Sequence, residues 1–423
     1  MKTNQLVIND AYNKKTLHIV ELIVILFFSS YYLLPSIGNM FSPLSITFLG
    51  LAYCAYVLLV QPKESKFIIL FIFLAIWISL MYYLLTETRT INANVSNYDL
   101  KRFMSKFFQY FLMFFPAVLM LRFITNANDK QKKLTLILLS IMLIYVMFVT
   151  MRELEINPDI TRSWDDNIET ASENVAGYYF VYAIPIVVSV LVMLVIKAKN
   201  FLQKTALIIF IVYCFFFLLQ AQYTLAILIA MIGIILGFLK SSKNNTEKII
   251  VSVTVIILMF FLADILRSIA INVKSAQVSL RFNELANFFS SGDASGYNLD
   301  GRLTLYWKTI KTFFASPLIG NSRLDFDGHT TFLTVLSDTG ILGGIPFYIL
   351  YFSTKNKVVN LLEDKNNLFA IPFLMLVIMG LTNPIHAAYP VGFAVWFICP
   401  LVIDVISNKE KYQEVITNGK LEN

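Results

Sequence analysis

Residues Phe201 to Lys240 read FLQKTALIIF IVYCFFFLLQ AQYTLAILIA MIGIILGFLK. No charged side chain falls between Lys204 and Lys240. A helix needs about 20 mostly apolar residues to cross roughly 30 Å of hydrocarbon. The stretch is therefore long enough for two crossings, and it is too apolar for a soluble hairpin. Gln220-Ala221-Gln222 interrupts it, so the reading is two spans, 203–219 and 222–239, with almost no loop between them.

The same pattern extends in both directions from this hairpin. Apolar runs of helical length occupy 17–36, 41–60, 66–85, 107–124, 133–151, 174–196 and 247–266, then 330–352, 367–385 and 388–405. The fold class expected is an all-α polytopic membrane protein of about twelve spanning helices. Composition agrees: 57% of residues are hydrophobic and 14% charged, where a soluble domain carries roughly 25% charged residues. Soluble folds are excluded, and nucleic acid is not an expected partner. Cys54, Cys214 and Cys399 all lie inside apolar runs at spacings that fit neither a zinc site nor a disulfide framework. The first run is followed at once by another span and lacks a small-residue cleavage site, so it reads as a retained helix.

Charge placement sets the orientation. Lys and Arg favour cytoplasmic flanks. With the N-terminus inside, 20 of the 25 lysines fall on the cytoplasmic side. They include Lys63 and Lys66, Lys130, Lys132 and Lys133, Lys197, Lys199 and Lys204, Lys240, Lys243 and Lys248, and Lys355 and Lys357. Eight of nine arginines fall outside: Arg89, Arg102, Arg152, Arg162, Arg267, Arg281, Arg302 and Arg323. Guanidinium binds phosphate through a planar two-pronged hydrogen bond and keeps its charge at any relevant pH. Arginines gathered on the face that disfavours positive charge point to an anionic, phosphate-bearing ligand there; headgroup contact and loop ion pairs are the competing reading.

The chain divides into spans one to nine (1–266), a long extracytoplasmic loop (267–329), spans ten to twelve (330–405) and a cytoplasmic tail (406–423). Loops longer than about 15 residues tend to be functional or disordered. This one carries helical periodicity: Val278, Phe282, Leu285 and Phe289 share one face, and Leu303, Trp307, Ile310 and Phe314 share another. The second helix is expected to start after Asp300 as its cap and to stop at Pro317 and Gly320. Amphipathic helices beside a membrane lie along its surface or roof a cavity.

The segment from Asp300 to Gly344 holds a motif. It runs Asp300-Gly301-Arg302, Trp307, Ser316-Pro317-Leu318-Ile319-Gly320, His329-Thr330-Thr331-Phe332-Leu333, then Asp338-Thr339-Gly340-Ile341-Leu342-Gly343-Gly344. This resembles the signature of the O-antigen polymerase and O-antigen ligase superfamily, whose polymerase branch is called Wzy. Asn174 and Gly177, at the start of a span after an acidic loop, resemble a further recurrent feature of that family. One departure is plain. Many members have a Ser-Arg pair where this chain has Gln220-Ala221-Gln222-Tyr223-Thr224; another arginine, such as Arg162 or Arg89, then does its work, or that contact is dispensable. The resemblance implies a GT-C-like membrane glycosyltransferase in a bacterial cytoplasmic membrane. Its donor would be an oligosaccharide on undecaprenyl pyrophosphate, with no cofactor, and a chain-length regulator and a flippase could be partners.

That chemistry suits the residues. A hydroxyl must attack an anomeric carbon while pyrophosphate leaves. An imidazole can take a proton near neutral pH, and arginines stabilise charge growing on the leaving group. His329 and Arg302 are the catalytic candidates. Arg162, Arg323, Arg89 and Asp338 are the candidates for binding pyrophosphate and substrate. Asp338 qualifies because an ionisable residue within a span is functional by default. Each has a plainer alternative: a helix-start histidine bonded to backbone, loop salt bridges for the arginines. His18 and His386, near span ends, and Glu21 and Asp404, read as interfacial, are weaker. Asp325-Phe326-Asp327 spells a metal-binding Asp-x-Asp, but arginines can neutralise pyrophosphate without metal, so no metal is expected. Polymerase and ligase remain open on sequence, and a lipid-linked oligosaccharide flippase is the alternative of another class; no internal repeat of the transporter kind is visible.

Overall fold

The computed structural model describes residues 17–87, 96–157, 160–162, 174–198, 200–242, 244–273, 276–291, 297–321, 330–363, 367–385 and 387–406. All regular structure among them is helical. The first half comprises α1 (Ile19–Leu33), α2 (Pro35–Met40), α3 (Pro43–Val60), α4 (Ser65–Glu87), α5 (Ser96–Asn126), α6 (Asp129–Ile156) and α7 (Tyr178–Lys197). Then come α8 (Phe201–Ala221), α9 (Thr224–Ser241), α10 (Asn245–Phe260), α11 (Leu262–Asn272), α12 (Ala276–Ser291) and α13 (Tyr297–Ala315). The chain ends in α14 (Thr331–Leu362), α15 (Ala370–Thr382) and α16 (Tyr389–Ile406), the last with a π-turn over Ala394–Ile398. Among the described residues, nine of these are long and apolar enough to cross a membrane: α3 to α9, α14 and α16. The shorter α1 and α15 are also apolar. The protein is a multi-pass α-helical membrane protein.

Two expected spans are corrected. The run 247–266 is not one helix: α10 stops at Phe260, Phe261 takes φ −95°, ψ 4°, and α11 begins anew. The run 107–124 sits inside the 31-residue α5, which begins at Ser96. Lys101, Arg102 and Lys106 are therefore on a helix rather than in a loop.

Hydrogen bonds between helix ends sort those ends onto two faces. On one, the Leu17 amide donates to Gln131 Oε1 (3.2 Å), and Gln131 Nε2 donates back to the Leu17 carbonyl (2.9 Å). Lys132 pairs with Asp404 at 2.6 Å, Arg122 with Glu21 at 2.6 Å, and Lys357 with Glu64. This terminal face thus ties the start of α1 to the α5–α6 junction, and α6 to the end of α16. Glu21 and Asp404, expected to be interfacial, are buried. They tolerate burial because each carboxylate meets a cation, and Tyr56 adds its hydroxyl to Glu21.

The opposite face carries α11, α12 and α13 and is termed the loop face. The α8–α9 reversal shows how tightly it turns. Gln222 takes the left-handed conformation (φ 60°, ψ 32°), and its amide caps the Leu218 and Leu219 carbonyls at 3.0 and 3.2 Å. The helices α5, α7 and α16 form the centre, whereas α8 turns Ile208, Ile209, Val212 and Phe216 outward, as a lipid-facing helix must. In α12 two residues of the expected apolar face pack inward, Phe282 buried and Leu285 against the core; Phe289 is exposed, and the Val278 side chain lies outside the described residues. Helix α13 begins at Tyr297, so Asp300 lies within its first turn and not at the cap. Trp307 and Phe314 of α13 are exposed, leaving an apolar face free to meet the membrane.

Candidate functional site

Helix α14 is broken. Gly340 has φ 60°, ψ −160°, a region that is essentially open to glycine alone. A break inside a bundle orphans amides and carbonyls, and within hydrocarbon each orphan costs several kcal/mol. Here a turn of the same chain fills the gap. The Ile341 amide donates to the Pro317 carbonyl (2.8 Å) and the Leu342 amide to the Leu318 carbonyl (3.1 Å). The Asn321 amide donates to the Ser337 carbonyl (2.7 Å), and Trp77 Nε1 of α4 donates to the Leu342 carbonyl (3.0 Å). Gly320 (φ 75°) completes the fit. A Cβ on Gly320 would strike the Asp338 carbonyl, and one on Gly340 would strike the Leu318 carbonyl oxygen. Two motif segments, Ser316–Gly320 and Asp338–Gly344, thereby become one structural unit. It fastens the end of α13 to the middle of α14.

Asp338 ends the first half of α14. Its carboxylate lies within electrostatic reach of Tyr110 of α5. Tyr110 donates a long hydrogen bond to the Tyr82 hydroxyl of α4 (3.5 Å), and the Lys106 ammonium lies 4.9 Å from the Tyr82 ring centroid. Tyr82, Lys106, Tyr110 and Asp338 so form a polar cluster within otherwise apolar helices. Such residues inside a membrane bundle are costly and tend to be functional.

A second cluster holds the head of α14. The Thr331 amide and hydroxyl both donate to the Asn383 carbonyl (3.1 and 2.9 Å), and the Thr330 hydroxyl donates to the Gly380 carbonyl (3.0 Å). The Asn383 side chain accepts from the Tyr178 hydroxyl at 2.9 Å. Tyr178, Tyr182 and Tyr223 pack with ring centroids 4.8 to 5.7 Å apart. Tyr223 then donates to the Thr161 carbonyl at 2.8 Å. One chain of contacts therefore connects the 3₁₀ turn Ile160–Arg162 to the residues that directly follow His329. Nearby, Asn174 (φ 61°) accepts from the Ser36 amide and hydroxyl (3.0 and 2.6 Å), which ties the entry of α7 to α2.

The two clusters are joined along α14. Thr330, Thr334 and Ser337 recur at helical spacing between His329 and Asp338, so they share one side of the helix. The hydroxyl oxygens of Thr334 and Ser337 are buried without a hydrogen-bond partner, as are Thr161 Oγ1, Thr224 Oγ1 and Asn383 Nδ2. Buried polar atoms are normally satisfied. Such atoms occur elsewhere in the bundle too, and those on α14 are positions where water or a hydroxyl-rich ligand would complete the bonding.

The six candidates fall as follows. Asp338 is in place at the helix break. The backbone of Arg162 forms the turn anchored by Tyr223, and Arg302 lies in the second turn of α13; their side chains lie outside the described residues. His329, Arg323 and Arg89 lie wholly outside them, as do His386 and Asp325-Phe326-Asp327. Arg267 is exposed and engaged locally, 3.6 Å from Asp264 and 3.2 Å from the Ser290 hydroxyl. Arg122 belongs to the terminal face with Glu21. The sequence reading missed Lys106, Tyr178, Tyr223 and Asn383. Lys106 carries a signal, a charge continuous with an apolar helix, but a span that begins at 107 leaves it outside. The sequence matches no known protein family and no curated protein at a significant level.

Proposed function

We propose that the protein is a membrane glycosyltransferase that polymerises a surface polysaccharide. It would join oligosaccharide repeat units carried on undecaprenyl pyrophosphate at the extracytoplasmic side, with the loop face outward. The observation that carries this reading is the pairing of the Ser316–Gly320 turn with the break at Gly340. The motif that resembles the O-antigen polymerase and ligase superfamily is split across a loop and a helix, and its two parts share backbone hydrogen bonds. A motif conferred by chance composition has no reason to fold onto itself. The departure at Gln220–Thr224 also gains a rationale: Tyr223, standing in that place, holds the turn that bears Arg162.

In the proposed reaction a sugar hydroxyl of the acceptor attacks the anomeric carbon of the donor. The new C–O bond forms as the bond from that carbon to the pyrophosphate oxygen breaks, and the electron pair leaves with pyrophosphate. His329 takes the hydroxyl proton. Arg302 and Arg162, with Arg323 and Arg89, neutralise the leaving group. The buried hydroxyls along α14 offer partners for sugar hydroxyls.

The test is reconstitution with a lipid-linked repeat unit. A ladder of products is expected. A single transfer to a different acceptor would instead indicate a ligase, and movement across the bilayer without bond formation a flippase. Removal of one charge-stabilising donor typically costs about 10²–10³ in rate, so Arg302→Ala and His329→Ala should each abolish detectable ladder while the protein inserts normally. Near wild-type polymer from both variants would overturn the site.

A further inference from the structure

A groove of about 300 Å³ opens between α3, α4 and α5. Its walls include Leu51 of α3, Ile72 and Ile76 of α4, and Phe103 and Phe107 of α5. Its accessible lining is wholly apolar, and it faces sideways, where neighbouring Phe48, Leu49 and Phe73 are exposed. In a bundle that spans a membrane, such an opening receives hydrocarbon. The same two turns of α5 also carry Lys101, which is exposed, and Lys106. Phe103 and Phe107 face the groove, while Lys106 and Tyr110, one helical turn apart, join the cluster with Tyr82 and Asp338 at the break of α14. A single helix thus presents an apolar channel and two ammonium groups, of which Lys106 reaches the Tyr82 cluster.

We propose that this groove seats the proximal hydrocarbon of a polyprenyl diphosphate, with Lys101 and Lys106 meeting its phosphates. The apolar channel matches the tail and the flanking cations match the head. Tyr110, one turn from Lys106, packs on Phe347 of α14 with ring centroids 5.9 Å apart, so a carrier held by Lys106 would present its phosphate beside α14. The assignment rests on the proposed use of a lipid-linked pyrophosphate donor, and it adds where that carrier lies and two lysines that meet its phosphates beside the arginines.

The experiment uses the full chain in proteoliposomes of phosphatidylethanolamine and phosphatidylglycerol with a photoreactive polyprenyl diphosphate. Crosslinks are expected in α3, α4 and α5 around the groove, and unlabelled polyprenyl diphosphate should suppress them. Leu51→Trp and Ile76→Trp, made at groove-lining positions that are not buried, should each fill part of the groove and markedly cut its labelling. Lys106→Gln should weaken labelling by the diphosphate but not by the uncharged polyprenol. Crosslinks elsewhere, labelling unchanged in both Trp variants, or labelling that unlabelled carrier does not suppress, as for a groove filled by ordinary membrane lipid, would overturn the assignment. Polymer formation is scored separately. A labelled groove in a protein that makes no polymer upholds this site and sinks the transferase reading; polymer formation without groove labelling does the reverse.

Discussion

At the scale of single residues, the site is held by polar groups that bind one another rather than by charges. Tyr178 and Asn383 lie far apart in sequence, and the 2.9 Å bond between them connects the start of α7 to the end of α15. Tyr178→Phe keeps the ring and deletes the donor, leaving the Asn383 oxygen short of a partner. Unsatisfied buried groups cost about 1–3 kcal/mol. A lower unfolding temperature in detergent is expected, together with slower polymerisation, because the Asn383 backbone also fixes Thr331 next to His329. If the pair acts as a unit, adding Asn383→Ala to the Tyr178→Phe variant should cost less than it does in the wild type. Strictly additive losses in both stability and rate would show that the bond positions nothing. Little of this was legible in the sequence. A tyrosine or an asparagine at a span end has no periodicity to announce it, and its partner is set by tertiary packing. Lys106 was legible in principle, since it is a charge borne by a helix that reads as apolar from the next residue onward.

At the scale of elements, the break in α14 is the feature on which the geometry turns. Glycine lets helices approach closely, and the sequence places Gly340, Gly343 and Gly344 in the motif. It did not reveal that the approaching group is the backbone of Pro317–Asn321, because a hydrogen bond between a loop and a helix interior leaves no pattern in hydropathy. The hairpin at Gln220–Gln222, by contrast, was legible at once, since a polar pair between two charge-free runs permits little else. Gly340→Ala tests the break. The backbone conformation there costs a residue with a Cβ about 1–3 kcal/mol, and the added methyl would also collide with the Leu318 carbonyl. A marked fall in unfolding temperature and in folded yield is expected. Gly301→Ala in α13 is the matched control: nothing lies within 4 Å of its added Cβ, and alanine in a helix interior gains about 0.8–1.0 kcal/mol over glycine. Equal effects from the two substitutions would mean that the turn and the break are not mechanically joined.

At the scale of the whole molecule, the two faces differ in how they treat charge. The terminal face pairs its ions in dry contacts, Lys132 with Asp404 and Arg122 with Glu21, which fix helices against one another. The loop face gathers polar hydroxyls, exposed amphipathic helices and, in sequence, most of the arginines. The lysine count predicts that two faces differ in charge, and by the positive-inside rule the loop face is expected outside the cell. The side matters to the proposed reaction, because a donor carried across the bilayer on a polyprenyl diphosphate would be used only there. The three cysteines are buried, so single cysteines introduced at exposed positions report topology cleanly. Ser290→Cys in α12 should react with a membrane-impermeant maleimide on intact cells, and Gln203→Cys at the start of α8 should react only after permeabilisation. The reverse pattern would put the Tyr–Asn chain and the break of α14 in the cytosol and remove the proposed donor from reach. Labelling of both from outside would mean that the helices between them do not cross the membrane as their alternating ends require.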